Sequence, residues 1–284
     1  MYKAILPLKP RDLDFFEANG YLYVENFYNS RLIEDLQTEV KRLIQLIYVS
    51  SGMIPPPKQE SPHEAFDVLL PELIAEDRRL AGYLYDATKK LPALQRLLSQ
   101  KEHVMVCRSI KGMKFPGFAA RGWGLRMDLP NESQQLTQLH QEFTSQLGST
   151  CGLVFWSPLR DVTQEIGPIK LYPGSHRSGV FKLQQSSKDS RGLKIIDEDR
   201  VRRAFPMIQP EVSRGDCLVL DYLTLHESSK NSSSFARWSL LCRYFDFENV
   251  YGCRTFWKGG IQEGGDIGLL YPEFVEHKGF ASNE

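Results

Sequence analysis

Over the first hundred positions, apolar residues recur mostly at helical spacing. Asp12 to Asn19 reads as a short helix closed by an Asn19-Gly20 stop, and Tyr21-Leu-Tyr-Val-Glu25 then alternates like an edge strand. Ser30 is placed to cap a second helix, along which Leu32, Ile33, Leu36, Val40, Leu43, Ile44 and Ile47 share a face until Ser50-Ser51-Gly52 ends it. Met53 to Pro71 contains Pro55-Pro56-Pro57 and no clean period, which predicts an irregular loop able to cover a pocket. Leu73 to Leu98 returns to a helical pattern interrupted at Pro92.

Past His103 the pattern changes to short apolar runs separated by Gly, Pro, Asn and Ser. Val104 to Arg108, Trp123 to Met127, Gly152 to Ser157, Cys217 to Tyr222 and Arg237 to Phe245 are each expected to be strands. No regular helices intervene, which argues against a parallel α/β sheet. The expected fold is mainly β with helical additions: a double-stranded β-helix (jelly roll, cupin-like) core packed by N-terminal helices. A single domain over 1–284 is expected, with 1–103 mostly helical scaffold, 104–250 the jelly-roll core and 251–284 a C-terminal extension.

Composition and charge narrow the function. Lysine plus arginine equals aspartate plus glutamate at 35 each and no block of like charge stands out, so the electrostatic footprint of a nucleic-acid binder is missing. The same lack of a basic patch lowers the expectation of a coenzyme A thioester as substrate. No run of eighteen apolar residues and no signal-peptide pattern occurs, so the expectation is a soluble, cytoplasmic protein without a membrane partner. Five widely spaced cysteines without a CxxC pair read as reduced thiols in or near the core.

Among six histidines, His140 stands in Gln138-Leu-His-Gln-Glu142, where the period of an extended segment would put His140 and Glu142 on one face. Two imidazoles and one carboxylate on one face of an octahedron hold divalent iron and leave positions open, and His-x-Glu supplies two of the three. Alone the motif is not specific. His226, at the end of the apolar run that begins at Cys217, is expected at a strand end facing a barrel mouth, although a lone histidine there is more often structural. Arg237 heads the next strand with Ser239 on the same face, a fork and a hydroxyl suited to a carboxylate. Pro173-Gly174 marks a tight turn before His176, whose expected job is a loop-orienting hydrogen bond. His63, His103 and His277 show no partner pattern.

Taken in order, Leu139-His-Gln-Glu142, Phe155-Trp156, Gly167 to His176, Gly215-Asp216 before His226, then Asn231 and Arg237-x-Ser239, resemble the phytanoyl-CoA dioxygenase family of iron(II)/2-oxoglutarate oxygenases. Phe15 to Val24 and the helix after Ser30 resemble that family's N-terminal pattern, so the likeness runs from about residue 12 to about residue 246. The resemblance implies iron(II) on His140, Glu142 and His226, with Arg237 and Ser239 holding the distal carboxylate of the 2-oxoglutarate cosubstrate. It also places Arg126 near the cosubstrate and Trp156 in the wall of the same pocket.

Glu142 departs from the family's usual aspartate, and its longer side chain can shift the metal. A carboxylate at that position argues against halogenation. The implied activity is O₂-dependent hydroxylation of a C–H bond in a small molecule, releasing succinate and CO₂, with desaturation or cyclisation also open. The alternative is a cupin-like protein that binds a metal or small molecule without turnover. Arg121, Trp123 and Lys258 suggest a polar metabolite, whereas oligomeric state is not legible.

Overall fold

A computed structural model describes residues 1–54, 65–119, 122–132, 136–185, 193–258 and 266–276. The chain opens with α1 (Pro10–Asn19), β1 (Tyr21–Val24) and α2 (Ser30–Ser50). After a π-helical turn over Ala65–Leu69 come α3 (Leu70–Glu76), α4 (Arg79–Thr88), α5 (Pro92–Leu98) and α6 (Lys101–Lys111). Next are β2 (Pro116–Phe118), β3 (Gly124–Asp128), α7 (Phe143–Gln146), β4 (Gly152–Pro158), β5 (Lys170–Leu171), β6 (Leu183–Gln185) and β7 (Leu193–Ile195). The remainder is α8 (Glu198–Ala204), β8 (Cys217–Asp221), β9 (His226–Glu227), β10 (Arg237–Asp246), α9 (Val250–Thr255), α10 (Ile267–Leu270) and β11 (Val275–Glu276).

The main sheet is antiparallel throughout, in the order β1-β8-β4-β10, with β2 and β3 both paired to the far edge of β10. Residues directly opposite one another share a face, so the register sorts the side chains into two sets. Phe155, Val219, Trp238, Leu240 and Cys242 point one way, into an apolar cluster with the helices. Val154, Trp156, Leu218 and Leu220 point the other way, with Leu171, Tyr172 and Leu225 from the opposing layer. That layer contains the β5–β9 pair, extended by bridges His140↔His226 and Leu171↔Ile208. Gln141, between His140 and Glu142, ties it to neighbouring loops by donating to the carbonyls of Gly179 and Leu223 and accepting from the Phe181 N–H.

Three sequence readings change. Val104 to Arg108 is not a strand but lies inside α6, because His103, Val106 and Cys107 form a buried stripe at helical spacing and the Gly112 N–H closes the last turn on the Arg108 carbonyl. The helical scaffold therefore extends to residue 111. The cap of α2 is Asn29, whose side chain accepts from the Arg31 N–H at 2.9 Å, one residue ahead of Ser30. Of the loop expected over Met53 to Pro71, residues 55–64 lie outside the described residues, and Ala65 onward is helical. Among the described residues no helix is long and apolar enough to cross a membrane.

His103 is the polar keystone between helices and sheet. It is fully buried among Phe27, Phe155 and Tyr244, with the Tyr244 ring stacked on it at 5.3 Å. Its Nδ1 lies 3.1 Å from the Gln100 carbonyl, which can only accept, so Nδ1 carries the proton and Nε2 accepts from the Tyr28 hydroxyl at 2.8 Å. Burial pushes this imidazole down to about 4 from the ordinary 6.5. The unfolded chain then binds the extra proton between those values, so stability is full above pH 6.5 and falls as the pH drops towards 4, by up to about 3 kcal/mol. Urea unfolding of wild type and His103→Gln across that range should show a steeper acid loss in wild type; parallel curves would contradict the assignment.

Candidate metal centre

His140 and His226 come together because they are cross-strand partners. Each backbone N–H donates to the other's carbonyl at 3.1 Å, which puts both side chains on one face, and the ring centroids are 4.1 Å apart. His226 opens β9 rather than ending β8; β8 stops at Asp221, and the Leu223 N–H is capped by that aspartate at 2.8 Å. The two rings are oriented alike. His140 Nδ1 donates to the Gln138 carbonyl and His226 Nδ1 to the Thr224 carbonyl, both at 2.9 Å, so Nε2 is the lone-pair atom of each.

Glu142 arrives by a different route from the one its spacing predicts. The chain leaves the extended conformation after the bridge, and Glu142 sits in the right-handed helical region (φ −64°, ψ −33°) as the first residue before α7. That turn, and not a period-two alternation, swings the carboxylate under the imidazoles, with Oε2 3.8 Å from His226 Nε2. One ligand-type atom from each of the three residues falls within a 4.8 Å span, and all three residues are buried. Burial alone would raise the Glu142 carboxyl, but Arg243 beside it, and then the two imidazoles when protonated, hold it well below the ordinary carboxylate range. Two imidazole lone pairs and a carboxylate kept ionised in a buried cluster are a donor set that fits divalent iron.

The cluster opens into a cleft of about 510 Å³ between the main sheet and the β5–β9 layer. Arg126, Trp156 and Arg237 line it together with the three ligand-type residues, as does Arg243. Ser239 lies on the same face of β10, between Arg237 and Leu241, fully buried and with no hydrogen-bond partner for its hydroxyl among the described residues. Trp123 packs at a tilt against Phe118 and Lys258 is exposed, and neither lines the cleft; Arg121, His63 and His277 lie outside the described residues. His176 is away from the cluster, with Nε2 3.0 Å from the Glu17 carbonyl, an orienting contact to α1.

Sequence reasoning gave no site role to four residues that shape this site, although Gly167 opens one of the family-like stretches. Asp128 faces Arg237 across the β3–β10 ladder and receives its Nε and Nη2 at 3.1 and 2.9 Å, while also accepting from Arg126 Nη2 at 2.9 Å. Burial raises the Asp128 carboxyl, but the two guanidiniums outweigh it and the net shift is downward. Gly167 offers its carbonyl to Arg237 Nη1. It adopts a φ of +82°, and a Cβ there would lie 2.4 Å from the Lys230 carbonyl oxygen, so a side chain at this position would push away the backbone that orients the arginine. Arg243 and Ser145 both reach the Glu142 carboxylate.

Comparison with known proteins fits this architecture. The family model described as "Phytanoyl-CoA dioxygenase (PhyH)" matches residues 16–239, and the chain belongs to that family. Membership brings the family's enzyme class with it: this is an iron(II)- and 2-oxoglutarate-dependent dioxygenase. A phytanoyl-CoA dioxygenase domain-containing protein 1 homolog of Dictyostelium discoideum is 21% identical over 82% of this chain and 90% of its own. An ectoine dioxygenase of Bordetella bronchiseptica is 24% identical over 83% of this chain and 74% of its own. Among solved structures, the epimerase SnoN in complex with Fe3+, alpha ketoglutarate and nogalamycin RO superimposes with a TM-score of 0.59 at 17% identity, covering 90% of this chain and 91% of that one. EctD from S. alaskensis with bound Fe gives 0.57 at 16% identity, covering 86% and 78%.

The Asp128 pair yields a stability prediction. Asp128→Ala leaves Arg237 buried without its counter-charge, a change that costs about 3–5 kcal/mol for buried pairs. Urea denaturation should show a lower midpoint at unchanged slope, and a midpoint equal to wild type would contradict the role given to this carboxylate.

Proposed function

We propose that His140 Nε2, Glu142 Oε2 and His226 Nε2 hold iron(II), and that the enzyme hydroxylates an unactivated C–H bond of a small polar metabolite. The observation that carries this reading is the cross-strand histidine pair whose Nδ1 atoms are both tied to backbone carbonyls, with His226 Nε2 3.8 Å from Oε2 of a buried, ionised glutamate and one ligand-type atom of all three residues within 4.8 Å. The metal, with 2-oxoglutarate and O₂ bound, supplies an oxidant able to cleave a C–H bond while the cosubstrate leaves as succinate and CO₂.

The residues of the chain bind and orient. In this reading Arg237 grips the distal carboxylate of 2-oxoglutarate, and the Ser239 hydroxyl, which has no partner among the described residues, adds a hydrogen bond. Asp128 accepts from Nε and stands 2.9 Å from Nη2, and the Gly167 carbonyl accepts from Nη1, contacts that fix the guanidinium's plane and leave further N–H groups to donate. Arg126, locked to Asp128 and 2.7 Å from the Thr137 hydroxyl, adds positive charge at that end of the cleft. Trp156 and Leu241, opposite one another on β4 and β10, form an apolar floor that excludes water beneath the cosubstrate. Thr137, Glu227 and Ser228 give the cleft polar groups that suit a polar substrate. The two facing layers are read as a jelly roll that forms one domain over the whole chain.

The reading is tested with purified protein, iron(II) and 2-oxoglutarate labelled at the carboxylate next to its keto group. Slow CO₂ release is expected without a second substrate, with faster succinate production when a metabolite from a panel of small polar compounds fits. Glu142→Ala should abolish succinate formation. Turnover at the wild-type rate in that variant would remove Glu142 from the ligand set.

A further inference from the structure

Glu142 is a longer ligand than aspartate, and a glutamate free to rotate about its extra bond can present both oxygens to a metal at once. In this chain the carboxylate is not free to rotate. The Ser145 hydroxyl, one helical turn on in α7, lies 2.7 Å from Oε1 and 2.9 Å from the Glu142 carbonyl, and its single proton goes to the shorter, charged contact. Arg243 Nε stands 2.8 Å from the same Oε1 as an ion-pair contact, and Nη2 donates to Oε2 at 3.1 Å. Oε1 is therefore enclosed by two partners, whereas Oε2 has one and faces His226 Nε2 at 3.8 Å. Each carboxylate oxygen has two lone-pair directions, so Oε2 keeps one for a further partner.

The origin of the clamp is the alternation of β10. Arg237, Ser239, Leu241 and Arg243 all project to the cleft side, and Arg243 lies opposite Val154 on β4, at the end where α7 packs. Gly122 makes room for it: a Cβ there would lie 3.2 Å from Arg243 Nη1 and 3.0 Å from Gln146 Nε2. Glu142 is buried and Arg243 largely so, and the Nη2 hydrogen bond to Oε2 together with the Nε contact to Oε1 holds the carboxylate against rotation.

We propose that Arg243 and Ser145 are positioning residues that sequester Oε1 of Glu142, so that glutamate serves as a one-oxygen ligand and one more metal position stays open than a chelating glutamate would leave. This rests on the metal reading above. The consequence lies in the number of positions left once a keto acid has chelated the ion. A glutamate bound through both oxygens fills the position that O₂ needs, and one bound through Oε2 alone leaves it to exchangeable water.

The test uses the full chain loaded with Mn(II) and saturated with 2-oxoglutarate, reading the relaxation of water protons, which reports water bound to the ion. Wild type should keep a strong enhancement. Arg243→Met should lose most of it while still binding Mn(II), and Ser145→Ala, which retains the buried ion pair, should show an intermediate loss even if the arginine variant does not fold. Wild-type enhancement in every variant that folds would overturn the proposal and leave the metal reading standing. A wild-type protein that takes up no Mn(II) would overturn both.

Discussion

The site depends on one backbone interaction, the mutual hydrogen bonding of His140 and His226 in a single antiparallel bridge. The two residues are far apart in the chain, and only that pairing puts their rings on one face at contact distance. Each ring then needs a carbonyl two residues upstream to fix its tautomer, and both have one. The third donor follows from the bridge ending: where pairing stops, the chain turns helical at Glu142 and its carboxylate swings beneath the imidazoles. Removing the bridge would separate the donors even if every side chain remained.

Charge organises the rest of the cleft. Two carboxylates, Asp128 and Glu142, stand at opposite ends of the inner face of β10, and each is held ionised by arginines from the same sheet. The arrangement costs desolvation at both ends, which the paired guanidiniums offset. In return, the guanidiniums near Asp128 are held rigid at one end of the cleft, and the one beside Glu142 holds that carboxylate in place at the other. The helices contribute by closing the opposite face of the sheet around His103, so that the strands carrying these groups cannot slide in register.

Much of this was legible in the chain. The strands at Gly152, Cys217 and Arg237 are short apolar runs between turn residues, and their burial on both faces matches that pattern. His140, Glu142 and His226 were readable as donors, and Arg237 and Ser239 as a same-face pair, from type and spacing together with the family resemblance. What failed did so for physical reasons. Val104 to Arg108 is too short a run for its period to be seen, and the deciding residues, His103 and Gly112, flank it. Asp128 acquires its role only through the β3–β10 register, which no local pattern encodes. Arg243 was within reach, since the alternation that links Arg237 to Ser239 continues to it.

The central claim is that three named atoms converge on one metal. Anomalous scattering at the iron edge from crystals of the anaerobically loaded protein tests it most directly. The account predicts a single strong peak enclosed by His140 Nε2, Glu142 Oε2 and His226 Nε2. A peak elsewhere in the fold, or one that leaves any of these atoms out of its coordination sphere, would contradict it.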